Sequence, residues 1–333
     1  MIKDSHGREV SYMRISVTDR CNLRCFYCRD SDDFKLLRHE EILRYEEILE
    51  LVRLAVRLDV SKIRFTGGEP LVRRDFTSFL GRIFSEFPDL DLRLTTNGTL
   101  LADQVKDLKR FGLKRINISL DTFNQASFHR ITGQDLFHDV LLGIERCLEA
   151  GIKVKINAVA MKGVNDAEIG EFIRLAAQNP IDVRFIEYMP MGGSKTQNEY
   201  YWPAQEILDQ AARFAKLTPV ETGSLGKKTN GPARMYNISG GKGRFGLISP
   251  LSDHFCQTCN RLRITSDGRL RTCLFSDREY RLRPALNHPA LGPEAVYKII
   301  RLAGKRKPIG HDLLRIAQGR VLASDKIMSA IGG

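Results

Sequence analysis

Along the first 190 or so residues, apolar positions alternate between two rhythms: short β-branched runs, and longer stripes at helical spacing. The short runs predict strands over Tyr12 to Val17, Lys62 to Thr66, Asp91 to Thr96, Arg115 to Leu120, Lys153 to Ala160 and Asp182 to Glu187. Between them lie Ile42, Tyr45, Leu49, Val52 and Val56; Phe76, Phe79, Leu80, Ile83 and Phe87; Val140, Leu141, Ile144 and Leu148; and Ile169, Phe172, Ile173 and Ala176. Each stripe predicts an amphipathic helix able to cover one face of a sheet. Gly112 and Gly151 stand where helix-terminating glycines belong, and Asn165 with Glu168 has the spacing of a capping box. Six strand–helix units with right-handed crossovers imply a parallel α/β sheet. The period alone leaves an open doubly wound sheet and a partial barrel equally possible.

Near residue 215 the pattern changes to short strands around Gly-rich turns. Arg234 to Ile238 and Phe245 to Ile248 flank the turn Ser239 to Gly243, while Leu262 to Thr265 and Leu270 to Thr272 flank Ser266-Asp267-Gly268. Two units follow, residues 1–215 and a hairpin-rich α+β region, residues 216–333.

A chain of 333 residues, 42% hydrophobic, can bury a large core, which excludes global disorder. It contains no apolar run of membrane-spanning length, and MIKDSHGREV is too polar for a signal peptide, so a cytoplasmic protein without membrane attachment is expected. The net charge of +12 calls for an anionic partner, but the basic residues are scattered through patterned segments instead of forming a tail. Seven cysteines in tight clusters, without a signal peptide, favour metal ligation over disulfides.

Cys21, Cys25 and Cys28 form CxxxCxxC in the loop after the first strand. Three thiolates so close in sequence can converge on one iron–sulfur cube and leave one iron without a cysteine. Zinc is the alternative, with His39 the nearest fourth ligand. Cys256 and Cys259 with Cys273 make a second set of three, where a zinc ribbon would want four. Cys259, Arg261 and Arg263 are spaced by two, so on a strand both guanidiniums leave the face that carries the thiolate. Such forks suit phosphate oxygens, although two surface arginines on a strand are the plainer alternative. Cys147 falls on an apolar helix face and reads as core.

CxxxCxxC with Tyr27 before its last cysteine, followed by Gly67-Gly68-Glu69-Pro70 at the end of the second strand, resembles the radical S-adenosylmethionine (SAM) superfamily. In that family the open iron chelates SAM and an electron from the cluster releases a 5′-deoxyadenosyl radical. The wider set SVTDRCNLRCFYC, KIRFTGGEPLVRRD, TTNG, NISLDT, VKINAVAMKGVND, RFIEYMP, FCQTCNRLRITSDGRLRTCL and a terminal Gly-Gly resembles the GTP 3′,8-cyclase family of molybdenum-cofactor synthesis, over about Arg14 to Gly333.

The resemblance implies an incomplete (βα)6 TIM-type barrel that the C-terminal region closes, two [4Fe–4S] clusters, and SAM as cofactor. Tyr27, Gly68, Ser119 and Met189 would contact SAM. Arg14, Arg64, Thr95, Lys155, Arg261 and Arg263 would contact GTP between the clusters, its guanine meeting the second open iron. Arg14, Arg64, Lys155 and Arg184 form the expected catalytic set, acting by orientation and not as acid or base. The reaction implied is abstraction of the ribose 3′ hydrogen, addition of that carbon to guanine C8, and reduction to 3′,8-cyclo-7,8-dihydro-GTP. Also implied are a flavodoxin- or ferredoxin-type electron donor, cyclic pyranopterin monophosphate synthase downstream, a homodimer, and no role for nucleic acid. The Ile331-Gly332-Gly333 tail would reach into the active site, where without the family it reads as a frayed end.

Two places depart from the family pattern: Arg29-Asp30 replaces Met-Pro after Cys28, and Lys326-Ile327-Met328 stands where relatives carry arginine. The rival readings are a twin-cluster peptide-modifying radical SAM enzyme, which needs no phosphate clamp, and a zinc-stabilised nucleic-acid-binding module.

Overall fold

In the computed structural model the six β-branched runs are the parallel strands of one sheet: β3 (Tyr12–Ser16), β4 (Lys62–Thr66), β5 (Asp91–Thr96), β6 (Arg115–Ser119), β7 (Lys153–Ala160) and β8 (Asp182–Glu187), preceded by a hairpin of β1 (Ile2–Lys3) and β2 (Glu9–Val10). The structure describes residues 1–28, 36–189, 191, 199–220, 231–317, 320–322, 324 and 328–332. Arg29, Asp30, Lys326, Ile327 and Gly333, singled out from sequence, lie outside these.

The helices are α1 (Tyr45–Arg57), α2 (Phe76–Glu86), α3 (Leu101–Arg110), α4 (Gln125–Thr132), α5 (Phe137–Glu149) and α6 (Ile169–Gln178), then α7 (Ala204–Ala212), α8 (Arg283–Leu286), α9 (Gly292–Lys305) and the single turn α10 (Met328–Ile331). Their apolar stripes bury Leu49 and Val52, Phe76, Phe79 and Leu80, Val140 and Ile144, and Phe172 and Ile173 in one continuous core. Each such side chain contributes about 1.5–3 kcal/mol. Cys147 is fully buried there, and burial pushes its thiol up to about 12, so it is an inert core residue.

Gly112 and Gly151 take positive φ just beyond α3 and α5, as expected. The capping box at Asn165 does not form. Asn165 instead donates to the carbonyls of Asp121 and Val159, both at 2.8 Å, and Glu168 accepts from Thr122 Oγ1 and Phe123 N. Both residues bind the loop after β6 because its buried backbone groups need partners more than a helix end open to water does.

The C-terminal hairpins do not make a layer of their own. β11 (Arg244–Ile248) pairs parallel with β8 and carries β10 (Arg234–Ile238) and β9 (Leu217–Pro219) outward. At the opposite edge β12 (Arg261–Ile264) pairs parallel with β3 and carries β13 (Arg269–Arg271) and β14 (Tyr280–Arg281). The order is β14-β13-β12-β3-β4-β5-β6-β7-β8-β11-β10-β9. The incomplete barrel is therefore extended at both edges. Among the described residues its outermost strands do not pair with each other, so the C-terminal region adds walls without sealing the ring by hydrogen bonds. A further pair, β15 (Arg315–Ala317) and β16 (Arg320–Leu322), lies apart from this sheet. Among the described residues no helix is long and apolar enough to cross a membrane.

Along β5, β7 and β8 buried residues alternate with partly exposed ones. Apolar Leu92, Leu94, Ile156, Val183 and Phe185 are buried in the core, while Arg93, Thr95, Lys155, Asn157, Asp182 and Arg184 line a cavity enclosed by the sheet.

Candidate functional site

The cavity, of about 1820 Å³, runs along the inner face of the sheet, with Cys21, Cys25 and Cys28 lining it beyond β3 and Cys259, Arg261 and Arg263 entering it from the edge of β12. Cys25 is partly buried, and burial, then Cys28, Asp121 and Cys21 close by, pushes its thiol well above the ordinary range. Three crowded thiols that repel one another as thiolates fit a positively charged metal core, which deprotonates the thiols it coordinates.

The GGEP segment is locked to this cysteine loop. Gly68 N donates to Thr18 O at 2.8 Å and Glu69 N to Arg20 O at 2.7 Å. A Cβ on Gly68 would lie 2.2 Å from Arg20 O and one on Gly67 2.4 Å from Thr18 O, so both positions require glycine. Glu69 is fully buried and accepts from Thr96 Oγ1, Leu71 N and Asn97 N at 2.6–2.9 Å; burial outweighs those bonds and lifts its carboxyl to about 7. Tyr27 donates at 2.6 Å to Asp121, whose other oxygen accepts from Val159 N at 2.8 Å, so the cysteine loop is also tied to β7. Gly68, Ser119 and Met189 line the same cavity.

Register then aligns the basic residues. Arg263 on β12 faces Arg14 on β3, Arg14 faces Arg64 on β4, and Arg64 faces Arg93 on β5. Two residues further along β5, Thr95 faces Asn117, Asn117 faces Lys155, and Lys155 faces Asp182. Like charges set directly opposite destabilise a sheet, so four arginines in a row are tolerable only if anions meet them. Asp91 meets Arg93 at 2.6 Å, and Asp182 meets Lys155 and Arg244, each at 2.9 Å. Arg64 donates to Tyr12 Oη at 2.7 Å and to Thr95 Oγ1 at 2.9 Å. Burial would raise the Tyr12 phenol, but the charges of Arg64 and Arg14 bring it down to about 7.

The buried Nε atoms of Arg14 and Arg184 have no hydrogen-bond partner among the described residues. Each such buried donor costs about 1–3 kcal/mol, more when charged. Burial, then neighbouring guanidiniums, lowers both side chains to about 10 against the pull of Tyr12 on Arg14 and of Asp182 on Arg184. A polyanion bridging them would remove both costs.

Cys256 opens a single 3-10 turn that Cys259 closes, and Cys273 follows β13. A Cβ on Gly310 would lie 2.7 Å from Cys273 Sγ and 3.6 Å from Cys256 Sγ, so a glycine with no side chain lets both sulfurs close over it. Burial would raise the Cys259 thiol, but the charges of Arg261 and Lys307 bring it down to about 6, favouring the thiolate a cluster requires. Arg261 and Arg263 both line the main cavity, as their spacing predicts. Phe255, Cys259, Arg261, Arg263 and Leu274 border that cavity and also the smaller one around the second cysteine set, so the two sets adjoin one continuous site. Among the described residues no group of three His, Cys, Asp or Glu side chains is arranged to hold a single metal ion; a cluster with several irons takes its thiolates further apart than one ion does.

The tail is docked rather than frayed. Ile331 is fully buried, and Gly332, at φ +73°, accepts from Arg263 Nη1 at 2.7 Å through its carbonyl.

An open parallel barrel with a three-cysteine loop after its first strand, held by a GGEP turn from the second, defines a radical SAM protein, and residues 15–176 match the Radical SAM superfamily model. Residues 181–313 match the model described as Molybdenum Cofactor Synthesis C. The GTP 3′,8-cyclase of Alkaliphilus oremlandii is 43% identical over 335 residues, covering 100% of both chains. That of Geobacter sulfurreducens is 44% identical over 306 residues, 91% of this chain and 93% of its own. This chain belongs to the GTP 3′,8-cyclase family. Among solved structures, Streptococcus suis SuiB bound to precursor peptide SuiA superposes with a TM-score of 0.63 at 16% identity, over 90% of this chain and 66% of that one, a likeness of fold.

Sequence reasoning passed over Arg93, Asn117 and Tyr12, which line the cavity beside the predicted residues. Their signal was phase: Arg93 sits two before Thr95, Asn117 two before Ser119 and Tyr12 two before Arg14.

Proposed function

We propose that this chain converts GTP to 3′,8-cyclo-7,8-dihydro-GTP, the first step of molybdenum-cofactor synthesis, as a SAM-dependent lyase with two [4Fe–4S] clusters. The observation that carries the reading is the row of facing arginines, with the orphaned Nε donors of Arg14 in that row and of Arg184 on β8, set between two three-cysteine sets that adjoin one cavity. Cys21, Cys25 and Cys28 hold the first cluster and Cys256, Cys259 and Cys273 the second. Tyr27, Gly68, Ser119 and Met189 border SAM. Bound together, the first cluster and SAM supply the 5′-deoxyadenosyl radical that starts the reaction at the ribose.

The chain itself binds and orients. Arg14, Arg64, Thr95, Lys155, Arg184, Arg261 and Arg263 grip the triphosphate and the base edge, so that the ribose lies between the two cysteine sets. The docked Ile331–Gly332 segment and the flanking hairpins exclude water. Residues 1–215 supply the SAM half and residues 216–333 the second cluster and tail. Electrons come from a flavodoxin- or ferredoxin-type donor, and the product passes to cyclic pyranopterin monophosphate synthase.

Anaerobic incubation of cluster-replete protein with GTP, SAM and a reductant yields 5′-deoxyadenosine together with a cyclised GTP product. Absence of both overturns the reading.

Lys155 makes GTP binding pH-dependent. Burial, then the charge of Arg184, lowers its ammonium to about 8, against the pull of Asp182. Below that pH the ammonium is charged and attracts phosphate; above it the charge is lost. GTP affinity, measured by anaerobic calorimetry, therefore falls several-fold between about pH 7 and 9, roughly tenfold being 1.4 kcal/mol. Lys155→Arg keeps its affinity across that range, and an equally steep decline in that variant would assign the effect to another group.

A further inference from the structure

Two buried cations share a small cavity with the second cysteine set and have no part in the substrate site described above. The cavity, of about 50 Å³, is bordered by Cys256, Cys259 and Cys273 and also by Arg8 and Lys307. That is space for a compact group of several atoms, one water occupying about 10–15 Å³ on the same measure.

Arg8, from the N-terminal hairpin, is buried and donates to the carbonyls of Cys256 at 2.7 Å, Lys307 at 2.8 Å and Pro308 at 2.9 Å. Its Nε meets Asp4 at 2.6 Å, so its charge is balanced within the protein. Lys307 differs. It is 2% exposed, its Nζ donates to Thr272 O at 2.6 Å, next to Cys273, and among the described residues it forms no ion pair. An unbalanced ammonium is costly to bury unless an anion stands near it. Three cysteine thiolates around an iron–sulfur core are such an anion.

We propose that Lys307 sets the charge balance of the cluster held by Cys256, Cys259 and Cys273 and raises its reduction potential, while Asp4 and Arg8 tie the cluster loop to the N-terminal hairpin as a neutral pair. The inference rests on reading these cysteines as the ligands of a [4Fe–4S] cluster. Reduction transfers one electron from an external one-electron donor to the cluster, breaks no bond and moves no proton. It adds one negative charge to a centre already anionic through its thiolates, and a nearby cation in a low-dielectric setting favours that reduced form.

The test is a potentiometric titration of the anaerobic holoprotein with dithionite, followed by electron paramagnetic resonance and iron analysis. Wild-type protein shows two reduction waves and about eight irons, two four-iron centres. A single wave with about four irons refutes the cluster assignment itself, and the proposal with it. With both clusters present, Lys307→Gln lowers one potential, a tenfold change in its reduction equilibrium being 59 mV for one electron, and leaves the other in place as an internal reference. Lys307→Arg keeps that potential. Asp4→Asn raises it, because the charge of Arg8 is no longer balanced. Opposite shifts from the two neutral variants are not produced by a merely structural role. If Lys307→Gln fails to retain its cluster, Asp4→Asn decides: a raised potential sustains the proposal and an unmoved one overturns it. Two occupied clusters with both potentials unmoved in both variants also overturn it.

Discussion

Replacing Arg261 and Arg263 together with Ala lowers GTP affinity by roughly 10²- to 10⁴-fold and leaves SAM affinity within about twofold. The magnitude follows from losing two charge-assisted contacts worth about 1.5–3 kcal/mol each. The selectivity follows from placement. Both arginines lie on β12, paired with β3 at Tyr12 and Arg14, whereas the cysteine loop and the GGEP turn lie beyond the far ends of β3 and β4 and are held by their own backbone hydrogen bonds. Anaerobic equilibrium dialysis with each ligand in turn separates the two affinities. Equal loss of both would show that the two ligands do not occupy separate halves of the cavity.

Gly332→Ala lowers kcat by about 10²-fold while GTP binding stays within a few-fold of wild type, the expected cost when a misplacement of about 1 Å disturbs an aligned site. Gly332 holds a φ of +73°, which L side chains rarely adopt, and an added Cβ would lie 2.9 Å from Ser16 Cβ and 3.3 Å from Thr66 Cγ2. Both obstacles belong to adjacent barrel strands that cannot give way, so the tail must lift. Arg263 then loses the carbonyl that fixes its Nη1. Single-turnover assays that count 5′-deoxyadenosine and cyclised product separately check this. Full cyclisation by the variant would mean that the docked tail has no part in the reaction.

The six central strands were legible in the sequence almost to the residue, because strands buried beneath helices are selected for β-branched runs whose ends fall at turns. The same held for Gly112, Gly151 and the hairpins after residue 230, where glycine marks conformations other residues avoid. The destination of those hairpins was not legible: pairing of β11 with β8 and of β12 with β3 joins segments about 60 and 250 residues apart, and nothing local encodes it. Among site residues, the cysteines stood out because clustered thiols have few other uses, whereas Arg8, Lys307 and Arg93 resembled ordinary charges in a chain carrying 52 lysines and arginines. The Asn165–Glu168 spacing misled for a related reason. A short polar pair satisfies whichever backbone groups lie nearest, and here those belonged to the loop after β6.

A chain that seats Gly332 beside its first barrel strand cannot finish its reaction chamber until that residue has been translated. A nascent chain that has emerged only as far as β8 already has the first cysteine set and the GGEP turn, but no partner for either sheet edge, and Arg263 and Gly332 are still to be made. Residues able to start radical chemistry are thus translated well before those that enclose the substrate. Iron and sulfide that arrived before both rims of the sheet had found their late-made strands would meet a cysteine loop not yet enclosed.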